Sequence, residues 1–236
     1  MDKAEFDKFA EEYTRIHKEN IELSGESPEF FSEYKIKDVR DMLGTGFTAN
    51  GMVLDFGAGV GGSLPYFKKY FPDSSICCLD VSEKSLEIAS SRFPGQADFR
   101  VFEGLDLPFS ENTFDLVFAA CVFHHIPPSE HERLLGEWFR VLKPGGIAVI
   151  FEHNPLNPLT VHAVNTCPFD ENAELISGSQ MKKRMFMAGF NRVWLRYRLF
   201  FPHFLRGLRF LERWLEWCPL GAQYMVYSAK PGSERA

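Results

Sequence analysis

Short apolar runs alternate with amphipathic stretches between Met52 and Phe151. A short apolar run bounded by turn residues is typical of a strand buried on both faces, and an amphipathic stretch between two such runs is typical of a covering helix. This alternation constrains the fold most strongly, because it predicts an α/β domain built on a parallel sheet. The runs that predict strands are MVLDFG, SICCLDV, DFRVFEG, FDLVFAACVF and IAVIFEH.

Helix and turn residues support this order of elements. Ser82 is placed to cap the helix after the second run, and Pro127 and Pro128 lead into the helix before the fifth run. Beyond residue 153 the sequence predicts a helix, a strand, an amphipathic helix and a last strand. Their sequences are SGSQMKKRMFMAGF, NRVWLRYRLFF, HFLRGLRFLERWLEW and AQYMVYSAK.

The 236 residues fit one large domain better than two small ones. We expect residues 1–45 to form an N-terminal helical cap with a break at SGESPEF, residues 52–153 the cofactor-binding core, and residues 154–236 an acceptor-side segment with the last strands. A cap helix packed on the core is favoured over one in direct contact with a ligand. Its apolar positions at helical spacing are Phe6, Phe9, Tyr13 and Ile16.

Charge and cysteine usage argue against several kinds of partner and site. The net charge of −6 disfavours a nucleic-acid surface covering the whole protein, because phosphate backbones bind clustered lysine and arginine. The five cysteines are scattered without a C-x-x-C pair, so neither a disulfide framework nor a zinc site is indicated. The charged beginning has no signal-peptide core, and no apolar run reaches about 18 residues. We expect a cytoplasmic protein, soluble or at most peripheral.

A glycine-rich turn, VLDFGAGVGG at residues 53–62, joins the first strand to its helix. Gly57, Gly59 and Gly62 match the G-x-G-x-x-G of a dinucleotide site, whereas Gly57, Gly59 and Gly61 match G-x-G-x-G. Both patterns let the backbone approach a ligand closely. The glycines alone therefore leave the cofactor open, and a tight turn without any ligand is a third alternative.

Acidic residues at strand ends favour an adenosine cofactor that carries an amino group. Asp55 ends the first strand, where a carboxylate suits a cationic ligand better than an anionic pyrophosphate. Asp80 ends the second strand about 20 residues beyond the glycines, where a carboxylate accepts both hydroxyls of a ribose. Glu103 and Asp106 follow the third strand, where either could border an adenine ring.

Four motifs occur in order: VLDFGAGVGG, CLDVSEKSLEIA, LPFSENTFDLVFAACVFHHI and RVLKPGGIAVIFEH. Together they resemble class I S-adenosylmethionine-dependent methyltransferases of the small-molecule type, similar to quinone-biosynthesis methyltransferases. The resemblance covers residues 52–153 and implies a Rossmann-like, doubly wound sheet of seven strands. That sheet is mostly parallel with an antiparallel last strand, and helices cover both faces. The implied cofactor is S-adenosylmethionine, with S-adenosylhomocysteine as the product.

The resemblance also implies where the methionine and ribose parts of the cofactor bind. It places the turn Gly57, Ala58 and Gly59 against the methionine part. It places Asp55 near the amino group and Asp80 at the ribose hydroxyls.

The adenine and sulfonium positions follow from the same resemblance. Val81 is expected to pack on the adenine, and Glu103 stands where the family often has an acidic residue near the adenine amino group. The backbone of Gly104 and Leu105 shares that contact. Cys121 ends the fourth strand, where it either faces the sulfonium or is a small buried filler.

Histidines at strand ends are the candidates for a general base. His124 and His125 follow the fourth strand, where extended geometry would let at most one of them enter the pocket. His153 closes the fifth strand and is the preferred acid/base or acceptor-orienting residue, with His125 second. The alternatives are a structural role for His125, and a solvated His153 beside turns built by Asn154 and Asn157.

The resemblance, together with these residues, implies a methyltransferase acting on an O or N atom of a small metabolite, for which lipid-like and glycan-linked compounds are the suggested kinds. The alternatives are a nicotinamide-dependent oxidoreductase and a cofactor-binding module without transfer activity. No metal is predicted, because no histidine pair has zincin spacing. The amphipathic stretch 203–217 is expected to lie on the sheet, which is favoured over contact with a membrane. No nucleic-acid partner is expected, and the oligomeric state is left open.

Overall fold

The computed structural model describes residue 7 and residues 13–44 and 50–232. Its centre is a seven-stranded sheet of order β3-β2-β1-β4-β5-β7-β6. All strand pairs from β3 to β5 are parallel, whereas β7 runs antiparallel to both β5 and β6. The predicted sheet is thereby confirmed. The strands are β1 Met52–Phe56, β2 Ser75–Asp80, β3 Asp98–Val101, β4 Phe114–Ala120, β5 Leu142–His153, β6 Val193–Arg198 and β7 Gln223–Ala229.

Helices cover both faces of the sheet. The Ser82 hydroxyl accepts the backbone N–H of Ser85, which confirms the predicted cap. The α-helices are α1 Tyr13–Asn20, α2 Pro28–Leu43, α3 Leu64–Tyr70, α4 Glu83–Arg92, α5 His131–Val141, α6 Pro158–Thr166, α7 Gly178–Met187 and α8 Glu212–Leu215. Shorter 3-10 helices span Glu22–Ser24, Phe123–His125, Pro168–Asp170 and His203–Leu211.

Two apolar cores lie on opposite sides of the sheet, because successive strand residues point to opposite faces. On one side Leu54 and Phe56 pack with α5 and α7, around the fully buried Trp138. On the other side Val53 packs with α2, α3 and α4, and Ile36 of α2 is fully buried there. The N-terminal segment therefore contributes α2 to the core.

The order of strands places a ligand crevice at the carboxyl ends of β1 and β4. Strand order reverses between these two neighbours, since β2 and β3 lie on one side and β5 on the other. Open α/β sheets bind ligands at such a switch point. The antiparallel strand β7 adds to the same edge, because its first residue, Gln223, is paired with His153.

Two predictions about the ends of the chain need correction or restriction. The stretch 203–217 is not a regular helix laid on the sheet: it is a 3-10 helix with a kink at Leu205, followed by the four-residue α8, and neither contains a buried residue. Helix α6 was not predicted either, because its Asn-Pro start resembles a turn.

Phe6 and Phe9 of the predicted cap lie outside the described residues, whereas Ile16 is buried against Cys167 and Phe169. None of the described helices is both long and apolar enough to cross a membrane.

Candidate active site

A cavity of about 630 Å3 opens at the carboxyl ends of β1, β2, β4 and β5. This volume lies within the roughly 300–1,000 Å3 range of small-molecule sites. The strand ends form its floor, and α2 and residues 199–204 supply aromatic side chains to its walls. The aromatic wall residues are Phe30, Phe31, Tyr66, Phe169, Phe200, Phe201 and Phe204.

The glycine-rich turn packs closely against the loop after β4 at Gly57 and is open to the cavity at Gly59. Gly57 has φ +72°, and a Cβ added there would lie 2.5 Å from Cγ2 of Val122. No larger residue fits this position without moving the loop after β4. A Cβ added at Gly59 would meet nothing within 4 Å, because Gly59 borders the cavity. The turn is therefore a cradle with free space on the ligand side.

The third glycine distinguishes the two patterns that the sequence left open. Gly61 has φ +77°, and a Cβ there would press on Ala89 and Phe93 at 3.2 Å. Gly62 has an ordinary φ, and its added Cβ would touch only the Ser32 hydroxyl at 3.4 Å. The structure thus requires glycine at the third position of G-x-G-x-G but not of G-x-G-x-x-G.

Asp55 is a buried carboxylate whose Oδ2 has no hydrogen-bond partner among the described residues. Burial, with a smaller contribution from the charge of Asp80, raises its pKa to about 7. An unpartnered carboxylate in a cavity wall needs a cation or a donor to offset its lost hydration. Asp55 therefore fits the ammonium group of S-adenosylmethionine.

Asp80 holds the turn in shape. Its Oδ2 accepts the N–H of Gly59 at 2.7 Å, and its Oδ1 accepts the N–H of Ser82 at 2.9 Å. Burial raises the pKa of Asp80, while these backbone donors oppose the shift. Each carboxylate oxygen keeps a further lone pair for a ribose hydroxyl.

Most residues implied for the cofactor line this one cavity, and three do not. Besides Asp55 and Asp80, the lining includes Gly57, Ala58, Gly59, Val81 and Cys121. Glu103, Gly104 and Leu105 are not among the lining residues. The chain leaves the sheet after β3 ends at Val101, and the N–H of Phe102 is bonded to the carbonyl of Asp80. Glu103 and Gly104 are consequently exposed.

A buried histidine lies between two carboxylates beside the cofactor turn. His124 Nδ1 is 2.6 Å from Glu152 Oε2, and its Nε2 is 3.5 Å from Asp170 Oδ1. Burial alone would lower the pKa of His124, but the two carboxylates outweigh it and hold that pKa well above its usual value. His124 is therefore a fixed cation, and the pKa values of Glu152 and Asp170 are both lowered.

The two histidines singled out as candidate bases are neutral near pH 7. Burial lowers the pKa of His125, although its Nε2 lies 3.3 Å from Asp170 Oδ1. Burial and the nearby His124 cation lower the pKa of His153 to about 4, with the two rings 5.2 Å apart. His153 is partly buried and lines the cavity, so its assignment as acid/base or acceptor-orienting residue stays a prediction.

The turn after β4 corrects the expectation that only one of the paired histidines enters the pocket. Phe123–His125 is a 3-10 helix rather than an extended strand, and both His124 and His125 line the cavity. Asn154 and Asn157 do build turns, as expected. Asn154 accepts the N–H of Leu156, and Asn157 caps α6.

Sequence reasoning assigned none of six charged lining residues to the site, namely Glu26, Glu29, Lys35, Arg92, Asp170 and Arg209, and two of them, Lys35 and Asp170, are buried. Asp170 follows α6 in a 3-10 helix, and no strand pattern connects it to the histidines. Lys35 is only 7% exposed on α2 and lines the same cavity. Within residues 13–44 and 50–232 its ammonium has no carboxylate partner, and it lies 5.6 Å from the centre of the Tyr34 ring. The helical pattern of the sequence could not predict this burial, because a lysine on an amphipathic helix usually lies on the solvent-exposed face.

Gln223 links the N-terminal helix to the floor of the cavity. The Tyr34 hydroxyl donates to Gln223 Oε1, and Gln223 Nε2 donates to Cys121 Sγ at 3.7 Å. Burial raises the pKa of Cys121, so its thiol is neutral. Cys121 therefore offers a polarizable, uncharged surface to the cavity.

A metal ion is a geometric alternative for the histidine cluster. His124, His125 and Asp170 each offer one ligand atom, and these atoms lie within 4.8 Å of one another. The zincin spacing considered along the chain did not indicate this group. However, the same two carboxylates already hold a proton on His124, so the absence of a metal stays our prediction.

Comparison with known proteins decides the family of this core. Residues 54–150 match a family model described as a methyltransferase domain. These residues belong to the methyltransferase domain family. The match ends near the carboxyl end of β5, so the domain supplies the glycine-rich turn and the Asp80, Cys121 and His124 positions.

Curated relatives of the methyltransferase domain include quinone-biosynthesis enzymes. The chain is 34% identical over 106 residues to a ubiquinone/menaquinone biosynthesis C-methyltransferase of Desulfotalea psychrophila, covering 44% of this chain and 42% of that protein. It is 38% identical over 105 residues to a demethylmenaquinone methyltransferase of Thermotoga maritima, covering 44% of each. The chain thus spans less than half the length of these relatives. The resemblance to class I S-adenosylmethionine-dependent methyltransferases is confirmed for the domain.

Solved structures agree with the fold of the domain. A possible histamine N-methyltransferase of Thermotoga maritima superposes with a TM-score of 0.68 at 20% identity, covering 97% of this chain and 99% of that one. Phosphoethanolamine N-methyltransferase 2 of Haemonchus contortus, in complex with S-adenosyl-L-methionine, gives 0.59 at 18% identity, covering 82% of this chain and 52% of that one.

Proposed function

We propose that this chain transfers the methyl group of S-adenosylmethionine to an oxygen or nitrogen atom of a small, largely apolar acceptor, with oxygen favoured. The observation that carries the proposal is the unpartnered, buried carboxylate of Asp55, which borders the cavity of a methyltransferase domain. The cofactor supplies an electrophilic methyl group on a sulfonium. The chain supplies the site that holds and aligns the two reactants.

Binding of the cofactor is assigned to the strand ends and the glycine-rich turn. Asp55 is assigned to the ammonium, Asp80 to the ribose hydroxyls, and the backbone of Gly57 and Gly59 to the methionine part. Val81, whose side chain is buried at the cavity wall, is assigned to the adenine. Cys121 is assigned to the sulfonium side, because a neutral thiol adds no charge that would compete with Asp55.

His153 is proposed as the base that accepts a proton from the acceptor. Its pKa of about 4 keeps the ring unprotonated throughout the physiological range, although a ring of that pKa is a weaker base than an ordinary histidine. The adjacent His124 is already charged and cannot do so. His125 is the second candidate, and its Nε2 faces Asp170 rather than standing free. Asp170 and Glu152 are positioning residues that fix the two neighbouring rings.

Lys35 favours an oxygen acceptor. Its buried ammonium would stabilise the negative charge that develops on a hydroxyl as the proton leaves, and it would repel a protonated amine. The aromatic walls add a requirement for an apolar body, so a lipid-like acceptor fits better than a bare sugar. The walls come from α2 and from residues beyond 153. We therefore propose that these segments select the acceptor, and that they form a single domain with the cofactor-binding core.

Carbon methylation beside an ionised ring hydroxyl is a second candidate. It is favoured by the two quinone-biosynthesis relatives, of which one is named a C-methyltransferase. His153 as base and Lys35 as cation would serve oxygen methylation and carbon methylation alike, because a phenolate shares its negative charge between the oxygen and a ring carbon.

Calorimetry followed by a transfer assay tests the proposal. The protein is titrated with S-adenosylmethionine, S-adenosylhomocysteine and NADH, and is then incubated with labelled S-adenosylmethionine and a cell lipid extract. We expect binding of the first two compounds and a labelled lipid whose fragmentation locates the methyl group on oxygen. Tight binding of NADH alone would support an oxidoreductase and overturn the proposal. Binding without label in lipid or aqueous extracts would identify a module that does not transfer.

A further inference from the structure

Residues 203–220 form a surface that buries nothing and exposes large apolar side chains. We call this surface the rim. None of its residues in the two helical stretches is buried, and Trp217 is 77% exposed. Soluble monomers rarely expose a contiguous apolar patch of this kind without a partner. The large exposed side chains of the rim are Phe204, Leu205, Leu208, Phe210, Trp214, Trp217 and Leu220.

The rim is continuous with the mouth of the cavity. Asn157 Nδ2 donates to the carbonyl of Leu220 at 2.8 Å, which joins the start of α6 to the end of the rim. Leu156 and Leu159, on either side of Asn157, are also exposed. Phe204 and Leu159 both line the cavity as well. Exposed apolar side chains therefore continue from the rim to the mouth of the cavity, where Glu26, Asn157 and Arg209 line it beside them.

The acidic residues of the rim are bonded inward. Glu212 Oε1 accepts the backbone N–H groups of Phe200 and Phe201, each at 3.1 Å. Glu216 is paired with Arg198 at 2.5 Å. Glu216 is therefore paired with a cation, and the Glu212 carboxylate is bonded toward residues 200–201.

Two arginines of the rim keep their charge available. Arg206 contacts only the His203 ring, and Arg213 lies 3.9 Å from the centre of the Trp214 ring; among the described residues neither pairs with a carboxylate. The rim is thus apolar and positively charged, in a chain whose net charge is −6.

We propose that the rim binds the surface of an anionic phospholipid bilayer. Tryptophan and phenylalanine beside arginine suit the boundary between headgroups and acyl chains, and arginine near an anionic surface strengthens that binding. A second copy of the chain is a poorer partner, since two rims would bring Arg206 and Arg213 of both copies together. If the proposed transfer to a lipid-like acceptor holds, the bilayer delivers that acceptor to the cavity mouth.

Co-sedimentation with vesicles tests this proposal without cofactor or acceptor, so its outcome is independent of methyl transfer. Vesicles of phosphatidylcholine alone are compared with vesicles that also contain phosphatidylglycerol. We expect the wild type to sediment with the anionic vesicles. F210S/W217S and R206E/R213E are each expected to lower partitioning by about tenfold or more. The matched control F186S/M187S changes exposed residues of α7, 63% and 56% exposed, and is expected to bind like the wild type.

Three outcomes would overturn the proposal. The wild type could stay in the supernatant with both vesicles, or the control could lose as much binding as the rim variants. Sedimentation velocity could instead show a dimer that F210S/W217S dissociates, with no vesicle binding. Circular dichroism of each variant confirms that it is folded. Vesicle binding without a labelled lipid product would contradict the proposed acceptor while leaving the docking surface in place.

Discussion

His124 Nδ1 lies 2.6 Å from Glu152 Oε2, and both side chains are only 1% exposed. Glu152 Oε1 also accepts the N–H groups of Val122 and Phe123, so this carboxylate holds both the ring and the turn. Removing the Glu152 charge leaves the buried His124 cation with only the longer contact to Asp170, at 3.5 Å. We expect Glu152→Gln to lower the free energy of unfolding at pH 7 by about 3–5 kcal/mol, measured by chemical denaturation.

The effect of Glu152→Gln should depend on pH in a defined direction. The pKa of Glu152 is lowered from 4.5, so its contribution is present above about pH 4.5 and is lost as pH falls through the lowered value. The pKa of His124 is raised from 6.5, so its contribution is lost only as pH rises through the raised value. The difference in free energy of unfolding between Glu152→Gln and the wild type should be largest at pH values above the lowered pKa of Glu152 and below the raised pKa of His124. The exposed control Glu87→Gln should change stability by about 0.5 kcal/mol or less.

Asp55→Asn should separate stability from cofactor binding. The pKa of Asp55 is raised from 3.8 to about 7, so the ionised group costs stability increasingly as pH rises from about 4 through 7. At about pH 8 we expect Asp55→Asn without cofactor to unfold at a higher temperature, by a few degrees. Its affinity for S-adenosylmethionine should fall. Wild-type affinity should increase between about pH 6 and about pH 7.5, and the variant should show no such increase. A pH-independent wild type would contradict the assigned contact.

Asp80→Ala should weaken cofactor binding by about 1–3 kcal/mol, because the two proposed ribose hydrogen bonds and the anchor of the Gly59 N–H are lost. Isothermal titration with S-adenosylhomocysteine measures this change directly. Asp73→Ala removes an exposed aspartate of the turn before β2 and should leave the affinity unchanged. Equal affinities for both variants would rule out the role of Asp80.

His153→Gln should lower kcat by about 10²–10⁴-fold while changing cofactor affinity by less than about twofold. Because the pKa of His153 is about 4, wild-type kcat should be flat near neutral pH and should fall only as pH drops toward 4. His162→Gln changes an exposed histidine of α6 and serves as the matched control. If His125→Gln lost kcat and His153→Gln did not, His125 would be the base.

Gly57→Ala should destabilise the protein by at least about 2 kcal/mol, through both its positive φ and the contact with Val122. Gly59→Ala shares the positive φ but has open space, so its cost should be smaller. Adding Val122→Ala to Gly57→Ala should recover the part of the lost free energy of unfolding that comes from the contact between the new Cβ and Val122. A double-mutant cycle in thermal unfolding measures that part, and strict additivity would show that the contact is unimportant.

The sequence predicted the sheet, the glycine-rich turn and the two aspartates because each follows from a local pattern. Asp55 and Asp80 stand at the ends of apolar runs, and parallel strands bring such ends together. Asp170 and Lys35 escaped prediction because their positions depend on how α2 and the segment after β5 pack over the sheet. The stretch 203–217 was misassigned for the opposite reason: its helical period is strong, but a period does not reveal whether an apolar face meets protein or solvent.

The floor and the walls of the cavity are formed by different parts of the chain, so the walls can be redesigned separately from the floor. Strand register holds the floor, whereas α2 and the residues after 153 stand on it from outside the matched domain. Wall residues such as Phe31, Val164 and Phe200 can therefore be exchanged without disturbing hydrogen bonds between strands. Libraries restricted to these walls would search for new acceptors while keeping one constant methyl donor.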